Sequence, residues 1–424
     1  MLNKPCKLFL PIILSVVFNT TLHSDSVTDW NTAMLNAIRL ANTPPPAAAR
    51  NLAILHASIY DAVNGIRRTF ESYLVTGNVP ASASTEAAAI AAAYRVLSTL
   101  YPGFQSKWAA AYDVALHSVE DGPQKRSGLA WGDYVASAIL QSRNNDGSAV
   151  TVSFPGGTDP GQWRPTISFG GIVRPALLPQ WGSVTPFAVG NPVPFVPPPP
   201  PSLGSSQYAA DVNQVQTLGS MNSAARTPEQ TQIARFWGYG PGTATPAGHW
   251  NQIAQEVAFT QRNTLEENAR LFALLNIGLA DAAIVSWDCK YKYNFWRPIT
   301  AIQEADTDGN AETSADPAWM PLLETPPFPE YTSGHSTFSG TAAVILASFY
   351  GKDEIPFSIG SDDLPGVHRF YSSFSEASRE SGVSRSYGGI HFMSANLNGL
   401  ASGAAVGQFV AAHWLLPKGN RSRN

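Results

Sequence analysis

Three short segments in the last third of the chain carry residues that could bind an anion and move protons. The first segment, residues 290–298, contains Lys290 and Arg297 seven positions apart. On one helix these two cations would share a face, about two turns apart, whereas Lys292 would fall on a different face. Because only 14% of the residues are charged, two cations on one face predict an anionic partner. The alternative is an ordinary solvated face.

The second segment, residues 326–338, places Ser333, Gly334 and His335 where a proline-rich lead-in ends and a helical pattern begins. Ser333 is therefore a candidate N-cap. A helix N-terminus offers free N–H groups and the positive end of the helix dipole, and both favour an anion. Gly334 would let the backbone approach a ligand closely, the Ser333 hydroxyl could donate a hydrogen bond, and His335 could transfer protons.

The third segment, residues 384–391, contains Arg385 and His391 on either side of Gly388 and Gly389. Six positions is the wrong spacing for one helical face. A bend at the two glycines could instead direct both side chains at the same point. The alternative is a helix C-cap followed by a new helix with a histidine in its core.

Together the three segments resemble a known signature. Lys-x6-Arg-Pro, then Ser-Gly-His, then Ser-Arg-x5-His, in that order within residues 290–391, resembles the three-part signature of the superfamily that joins type 2 phosphatidic acid phosphatases and vanadium haloperoxidases. By motif, the similarity extends over the C-terminal third. The helix-rich N-terminal half is compatible with the larger helical haloperoxidases rather than with the short membrane phosphatases.

This resemblance implies a vanadate cofactor in a cradle of cations and hydrogen-bond donors, namely Lys290, Arg297, Ser333, Gly334 and Arg385. Guanidinium groups suit a tetrahedral oxyanion because their N–H groups can bind two oxygens at once. The resemblance also implies that His391 is the covalent ligand at the apex of the metal and that His335 is the acid–base partner for peroxide. In a phosphatase, which would hold the near-isosteric phosphate, His391 would attack phosphorus and His335 would protonate the leaving group.

Two aromatic residues near the motifs bear on the choice between these chemistries. Trp287 precedes Lys290 by three positions and Phe328 precedes Ser333 by five. By the resemblance, aromatics at these positions form the halide side of the vanadate site. The second is a Phe in chloride-oxidising members, where bromide-restricted members tend to carry a His. An apolar wall with an indole edge could desolvate and position a halide. The alternative for both residues is ordinary core packing.

The chain departs from the resemblance at one position. Many members of the superfamily carry an Asp four residues after the second histidine, where a carboxylate fixes the imidazole tautomer and raises its basicity. Here that position is Ala395, with Asn396 beside it. A nucleophilic histidine would suffer more from this loss than a metal ligand, so Ala395 disfavours the phosphatase and leaves room for a weakly active enzyme.

Three functions are consistent with these residues. The leading interpretation is a vanadate-dependent haloperoxidase that oxidises halide with hydrogen peroxide to hypohalous acid, which leaves or halogenates a small organic acceptor. The second is a secreted acid phosphatase acting on soluble phosphomonoesters. The third is a non-catalytic oxyanion-binding protein. A homodimer is expected from the resemblance alone.

The composition excludes other classes of partner. The formal net charge is −4 and no run of Lys or Arg occurs, so the overall field attracts neither nucleic acid nor an anionic membrane. Lys4 and Lys7 precede an apolar run at 8–18, which is too short to span a bilayer and is typical of a secretory signal. We expect residues 1–24 to be removed and the protein to be secreted or periplasmic. We expect no other segment to be long and apolar enough to cross a membrane.

Helical periodicity dominates the rest of the chain and strand-like alternation is almost absent, so the predicted fold class is all-α. The predicted helices cover residues 30–42, 47–66, 85–100, 104–118, 124–142, 207–218, 228–237, 249–259, 265–286, 334–350, 367–382 and 391–415. Residues 147–204, rich in Gly, Pro and aromatics, predict a stiff surface connection. We expect an N-terminal helical region at 27–204 that includes this connection, and a C-terminal oxyanion-binding catalytic region at 205–424. The resemblance implies one compact unit with the large helical-bundle architecture of haloperoxidases and acid phosphatases.

Overall fold

The computed structural model describes residues 25–419 of the chain. Within them lie thirteen α-helices and one two-stranded sheet. The helices are α1 (Ser26–Leu40), α2 (Pro45–Arg67), α3 (Thr85–Leu100), α4 (Gln105–Leu116), α5 (Pro123–Ser142), α6 (Ser206–Leu218), α7 (Pro228–Phe236), α8 (Thr245–Gln261), α9 (Leu265–Tyr293), α10 (Pro298–Gln303), α11 (Gly334–Tyr350), α12 (Phe374–Tyr387) and α13 (Met393–His413). The strands are β1 (Phe357–Gly360) and β2 (His368–Tyr371). The predicted all-α fold is confirmed, and the predicted signal at 1–24 lies outside the described residues.

The longest helix, α9, is contacted by α2, α8, α11 and α13. Helices α2, α3 and α5 pack against one another, as do α11, α12 and α13. The larger of two buried apolar clusters extends from Val27 in α1 to Val410 in α13. Residues from both predicted regions therefore contribute to one core, while the boundary between them at residue 204 stays a prediction.

Small residues let the helices around the site approach each other closely. Gly403 in α13 faces the backbone of Thr337 in α11, and a Cβ at residue 403 would collide with the Thr337 carbonyl oxygen. Gly340 in α11 faces the backbone of Leu400 in α13 in the same way. This close packing holds the start of α11, where the predicted Ser-Gly-His segment lies, against α13.

Helix α9 is long and apolar enough, by length and composition, to cross a membrane. The expectation that no segment after the signal passes this test is therefore wrong. Nearly all of its apolar window is buried inside the protein, as in the core helix of a bundle. Asp281, in the middle of α9, accepts hydrogen bonds from the backbone N–H groups of residues 187–189. The proline-rich connection is thereby held on the bundle, and its Trp163 and Trp181 are buried, so it is not a purely surface segment.

The prediction that Lys290 and Arg297 share one helical face is wrong. Helix α9 ends at Tyr293, and Arg297 is the N-cap of the next helix, α10. Asn294 ends α9 in a left-handed conformation with φ 48°. Pro298 begins α10, and a proline restricts the residue before it to an extended backbone. The two cations therefore reach the site from the two sides of a turn.

The helix predicted at 367–382 is wrong in its first part. Residues 368–371 form β2, which pairs antiparallel with β1 from Phe357–Tyr371 to Gly360–His368. Ser373 then caps α12, because its side chain accepts a hydrogen bond from the N–H of Glu376. Each strand has only four residues, and its stability depends on pairing with the other strand, so local periodicity did not reveal it.

Candidate active site

Four elements bring the predicted site residues to one place. The end of α9, the turn before α10, the loop into α11 and the turn between α12 and α13 meet around a cavity of about 400 Å³. The predicted residues that line this cavity are Trp287, Phe328, Gly334, His335, Arg385 and His391. The remaining predicted residues, Lys290, Arg297 and Ser333, are fully buried beside it. The three sequence motifs therefore converge on one site.

His391 lies in the turn before α13, two residues ahead of the helix start that Met393 marks. Its Nε2 atom is 3.1 Å from Nη1 of Arg297. A guanidinium can only donate, so Nε2 accepts this hydrogen bond and the ring proton resides on Nδ1. Burial lowers the pKa of His391 well below its usual value, and the positive charge of Arg297 lowers it further. The imidazole is therefore neutral, with its lone pair on Nε2.

Glu330 is a site residue that the sequence reasoning missed. Its Oε1 atom lies 2.8 Å from Nδ1 of His391 and accepts a second hydrogen bond, of 2.9 Å, from the N–H of Phe392. The inference from Ala395 that the second histidine lacks a carboxylate partner is therefore wrong. Glu330 lies three residues before Ser333. Its position in a motif loop was the available signal, but the distance from residue 330 to residue 391 hid the pairing.

Lys290 is held by backbone carbonyl groups of the loop that precedes α11. Its Nζ atom donates to the carbonyl oxygens of Pro329, Glu330 and Thr332, which accounts for all three of its N–H groups. Burial lowers the pKa of Lys290 well below its usual value, and Arg297 adds to this shift. In this structure Lys290 therefore fixes the loop and contributes charge, while its predicted direct contact with an oxyanion stays a prediction.

Arg297 and Arg385 each keep donor atoms without a partner among the described residues. Arg297 donates through Nε to the carbonyl of Phe328 at 2.8 Å and through Nη1 to that of Ile390 at 2.8 Å. Its Nη2 atom has no hydrogen-bond partner. Arg385 donates through Nη1 to the carbonyl of Trp237 at 2.6 Å, whereas its Nε has none. Burial lowers the pKa of both guanidinium groups, but an arginine stays protonated in a protein.

Ser333 is the N-cap of α11, as predicted, because its side chain accepts from the N–H of Ser336. The hydroxyl of Ser336 also donates to Ser333 Oγ at 3.0 Å. The proton of Ser333 Oγ therefore remains available to donate. A Cβ at Gly334 would meet Trp287 at 3.5 Å, an ordinary contact, so the space at residue 334 does not by itself require glycine.

His335 lines the cavity, and its Nε2 atom has no hydrogen-bond partner among the described residues. Its removal from bulk water lowers its pKa well below the usual value, and the charge of Arg385 lowers it further. A neutral imidazole with an unpartnered nitrogen can accept a proton from a group bound in the cavity.

In the turn between α12 and α13, Gly389 has a φ of 78°, which supplies the predicted bend between Arg385 and His391.

Trp287 and Phe328 form one wall of the cavity. Their ring centroids are 5.0 Å apart, with an angle of 47° between the planes. The indole Nε1 of Trp287 donates to the carbonyl of Leu177 at 3.2 Å, so this N–H is engaged by the protein. Both rings also contact the ammonium group of Lys290, at 5.7 and 4.9 Å from the centroids. The wall therefore presents carbon atoms to the cavity and is backed by a buried cation.

Comparison with known proteins supports the motif assignment. The family described as the VCPO second helical-bundle domain matches residues 270–416. The vanadium chloroperoxidase of Curvularia inaequalis is 26% identical over 80% of this chain and 70% of its own length. The crystal structure of the first bacterial vanadium-dependent iodoperoxidase superposes with a TM-score of 0.79, 28% identity and coverage of 93% of this chain and 98% of that one. In sequence and in fold, the chain is similar to vanadium haloperoxidases.

A more distant structure of the same type shows the shared fold. A holo-type bacterial vanadium-dependent chloroperoxidase superposes with a TM-score of 0.71 at 16% identity, over 88% of this chain and 92% of that one. The family match at 270–416 includes every residue of the three motifs. The three motifs therefore lie in the part of the chain that the family description covers.

The site suits a tetrahedral oxyanion. Three buried cations, Lys290, Arg297 and Arg385, surround His391, and each lowers the pKa of its imidazole. Burial of charge without a counter-charge is unfavourable. Glu330 is the buried carboxylate in contact with His391. An oxyanion would offset the remaining positive charge and would provide acceptors for the free donors of the two arginines.

Proposed function

We propose that this chain is a vanadate-dependent haloperoxidase that uses hydrogen peroxide to oxidise halide to hypohalous acid. The observation that carries the proposal is the neutral His391, with its Nε2 lone pair directed at Arg297 among three buried cations. A metal ligand needs an unprotonated nitrogen, and an oxyanion needs cations and donors around it. The site offers both at one point, in a chain similar to a vanadium chloroperoxidase and a vanadium iodoperoxidase.

The proposed roles divide the site residues into three groups. His391 would bind vanadium through Nε2, and Arg297 and Arg385 would donate to the oxygens of vanadate. The Ser333 hydroxyl and the Gly334 N–H at the start of α11 would donate as well, supported by the helix dipole. Lys290 would contribute charge through the loop that it holds. Vanadate, when bound, supplies a Lewis acid that activates hydrogen peroxide toward halide.

His335 would accept the proton that hydrogen peroxide loses when it binds. Its lowered pKa keeps the ring neutral near pH 7, and its Nε2 atom is unpartnered. The neighbouring Arg385 would hold the negative charge that this proton transfer leaves on the bound anion. The wall of Trp287 and Phe328 would exclude water from the halide and place it beside the same anion.

A second candidate activity is hydrolysis of soluble phosphomonoesters. The contact between Glu330 and His391 favours it, because a carboxylate on Nδ1 makes Nε2 a better nucleophile. Because His391 has this carboxylate partner, Ala395 does not disfavour a phosphatase. A phosphatase would use the same cradle, with His335 protonating the leaving group. Similarity to the two vanadium peroxidases is what favours the haloperoxidase.

The test is to strip the purified protein of phosphate and assay it with and without orthovanadate. Oxidation of iodide, bromide and chloride by hydrogen peroxide would be followed in wild type and in His391→Ala. His413→Ala, a change of an exposed histidine at the end of α13, is the matched control. We expect activity that requires vanadate, disappears in His391→Ala and persists in His413→Ala. Vanadate-inhibited hydrolysis of a phosphomonoester without halide oxidation would instead assign the second activity.

We also propose that the protein is exported to the periplasm or outside the cell, and that it pairs as a homodimer. The apolar run at 8–18 after Lys4 and Lys7 supports export. N-terminal sequencing of the protein recovered outside the cytoplasm would reveal cleavage near residue 24. Light scattering of the purified protein would distinguish a dimer from the 45.4 kDa monomer.

A further inference from the structure

A buried carboxylate contacts His391 from the loop before α11, the loop that also carries Phe328 and Ser333. Glu330 is fully buried in the segment between α10 and α11. Its Oε1 atom receives two hydrogen bonds, from Nδ1 of His391 and from the N–H of Phe392. The backbone of Glu330 is also tied to α9, because its carbonyl oxygen accepts from Lys290 at 3.1 Å. Lys290 therefore holds the backbone of Glu330, and Phe392 holds its carboxyl group beside the imidazole.

The two contacts of His391 select the same arrangement of its ring. Oε1 of Glu330, which also accepts from the N–H of Phe392, favours a proton on Nδ1. Arg297 can only donate, so it requires a lone pair on Nε2. Together, Glu330 and Arg297 place the lone pair of the imidazole on Nε2, the atom that faces the buried cations. A histidine released from Glu330 could instead carry its proton on Nε2, which would leave no lone pair for a metal.

We propose that Glu330 is the positioning residue of His391, which holds the ring in the Nδ1–H tautomer and aims Nε2 into the oxyanion site. This inference rests on the proposed function, because it concerns the same histidine. It adds Glu330, which precedes Ser333 in the second segment and is not one of the nine predicted site residues. Hydrogen-bond partners of a metal-ligating histidine fix its tautomer and orientation, and their loss costs about 10- to 100-fold in metal affinity or activity.

A second buried carboxylate provides the comparison that separates this role from helix capping. Asp211, in α6, accepts a hydrogen bond of 3.3 Å from the N–H of Ser394 in the first turn of α13. Glu330 accepts from Phe392 just before the same helix. Both carboxylates therefore stabilise the start of α13, but of the two only Glu330 forms a hydrogen bond to His391 within residues 25–419. A change at Asp211 alters capping while it leaves the imidazole contact in place.

Glu330 could act on the site through its geometry or through a negative charge, which would repel an oxyanion. Burial raises the pKa of its carboxyl to about 8, so geometry is the larger contribution near pH 7. Glu330→Gln keeps an oxygen acceptor of the same reach and removes the charge. Glu330→Ala removes both the acceptor and the charge. If positioning dominates, the glutamine variant will resemble wild type and the alanine variant will not.

The experiment reads the tautomer of His391 by nuclear magnetic resonance of protein labelled with ¹⁵N-histidine and free of vanadate and phosphate. The resonance is assigned by its loss in His391→Gln. We expect the proton on Nδ1 in wild type, Glu330→Gln and Asp211→Asn. In Glu330→Ala we expect a mixture of tautomers or the Nε2–H form. Because no vanadate is present, this result does not depend on whether the protein oxidises halide.

Calorimetric titration with orthovanadate gives the second readout. We expect the dissociation constant to rise about 10- to 100-fold in Glu330→Ala, and most of this loss to be recovered in Glu330→Gln. Asp211→Asn should bind within about twofold of wild type. If Glu330→Ala fails to fold, Glu330→Asp, which keeps the charge but shortens the reach, should show the mixed tautomer. An unchanged tautomer in the shortened variants, or an equal change in Asp211→Asn, would overturn the proposal.

Discussion

Buried charges have different surroundings in the two halves of the molecule. In the N-terminal half, Arg143 contacts Asp146 through Nε and Nη2, at 3.1 and 2.9 Å, and donates to the carbonyl of Pro186. Asp61 in α2 accepts three backbone N–H groups of residues 73–75. These charged groups have a full set of protein partners. They hold loops on the helices and need no ligand.

In the C-terminal half, the buried charges around His391 have an incomplete set of partners. Arg297 keeps a free Nη2, Arg385 a free Nε, and His335 a free Nε2 within the described residues. Leaving buried donors unpaired is unfavourable for folding alone. The comparison indicates that a complete partner set marks a structural charge, whereas an incomplete set among several cations marks a binding site.

The largest expected effect concerns His335, the proposed acid–base group. Loss of a positioned proton-transfer group costs about 10²- to 10⁴-fold in rate. We expect His335→Ala to lower kcat for halide oxidation by this factor while orthovanadate binding changes much less. Steady-state kinetics combined with a vanadate titration measure the two quantities separately. A loss of kcat below about tenfold would remove His335 from the proton-transfer role.

The comparison between the halves is tested most sharply with two arginines. Arg143→Leu removes one of the two arginines that pair with Asp146, and Arg50 keeps its contact at 2.7 Å. We expect it to destabilise the fold by about 1.5–3 kcal/mol, the value of hydrogen bonds to a charged group, with normal vanadate affinity in the molecules that remain folded. Arg385→Leu removes a cation with a free donor, so we expect a smaller change in stability. Its vanadate affinity should fall by about 10- to 100-fold, the value of a charge-assisted hydrogen bond of about 1.5–3 kcal/mol.

Chemical denaturation and calorimetric titration of both variants provide the measurements. The comparison fails if the two variants show the same pattern. In particular, a large loss of stability in Arg385→Leu with unchanged vanadate binding would make Arg385 a structural charge like Arg143.

A buried histidine of the N-terminal half should make stability depend on pH. Burial lowers the pKa of His56 to about 3, and its Nε2 lies 3.0 Å from Oδ1 of Asn31. The unfolded chain, with a pKa of about 6.5, takes up a proton as pH falls, and the folded protein does not. Stability is therefore lost below about pH 6.5, by about 2 kcal/mol at pH 5 relative to pH 7. Denaturation of His56→Gln at both values should show a dependence weaker by this amount.

The smallest effect concerns the aromatic wall. Phe328 contacts Trp287 and lines the cavity, so we expect Phe328→His to change the choice of halide rather than the fold. The ratio of chloride to bromide oxidation should fall by about tenfold, which corresponds to about 1.4 kcal/mol in the transition state. Phe272, a core residue of α9, provides the matched control. Phe272→Leu should lower stability and leave the halide ratio unchanged.

Helices with clear end signals could be predicted to the residue. The prediction for α3 and α11 matches the observed bounds, because Ser84 and Ser333 cap their first turns and Gly351, with φ 72°, ends the second. The N-cap role of Ser333 and the bend at Gly389 were likewise readable from local sequence. These features depend on contacts within a few residues.

Features that depend on distant contacts could not be predicted. Glu330 meets His391 across sixty-one positions, and nothing near residue 391 indicates this partner. The three carbonyl acceptors of Lys290 come from a loop about forty residues away. The nine predicted site residues came from short motifs, and the way the fold satisfies or leaves open their hydrogen bonds came only from the structure.

Thermal unfolding with and without orthovanadate tests most directly whether the incomplete partner set around His391 is an oxyanion site. A ligand that binds only the folded protein stabilises it by about 2.7 kcal/mol at a hundred times its dissociation constant. We predict that orthovanadate raises the Tm of the phosphate-free wild type and of Arg143→Leu, raises that of Arg385→Leu by about half as much or less, and fails to raise that of His391→Ala at the same concentration. An equal rise in all four proteins, or none in the wild type, would contradict the account.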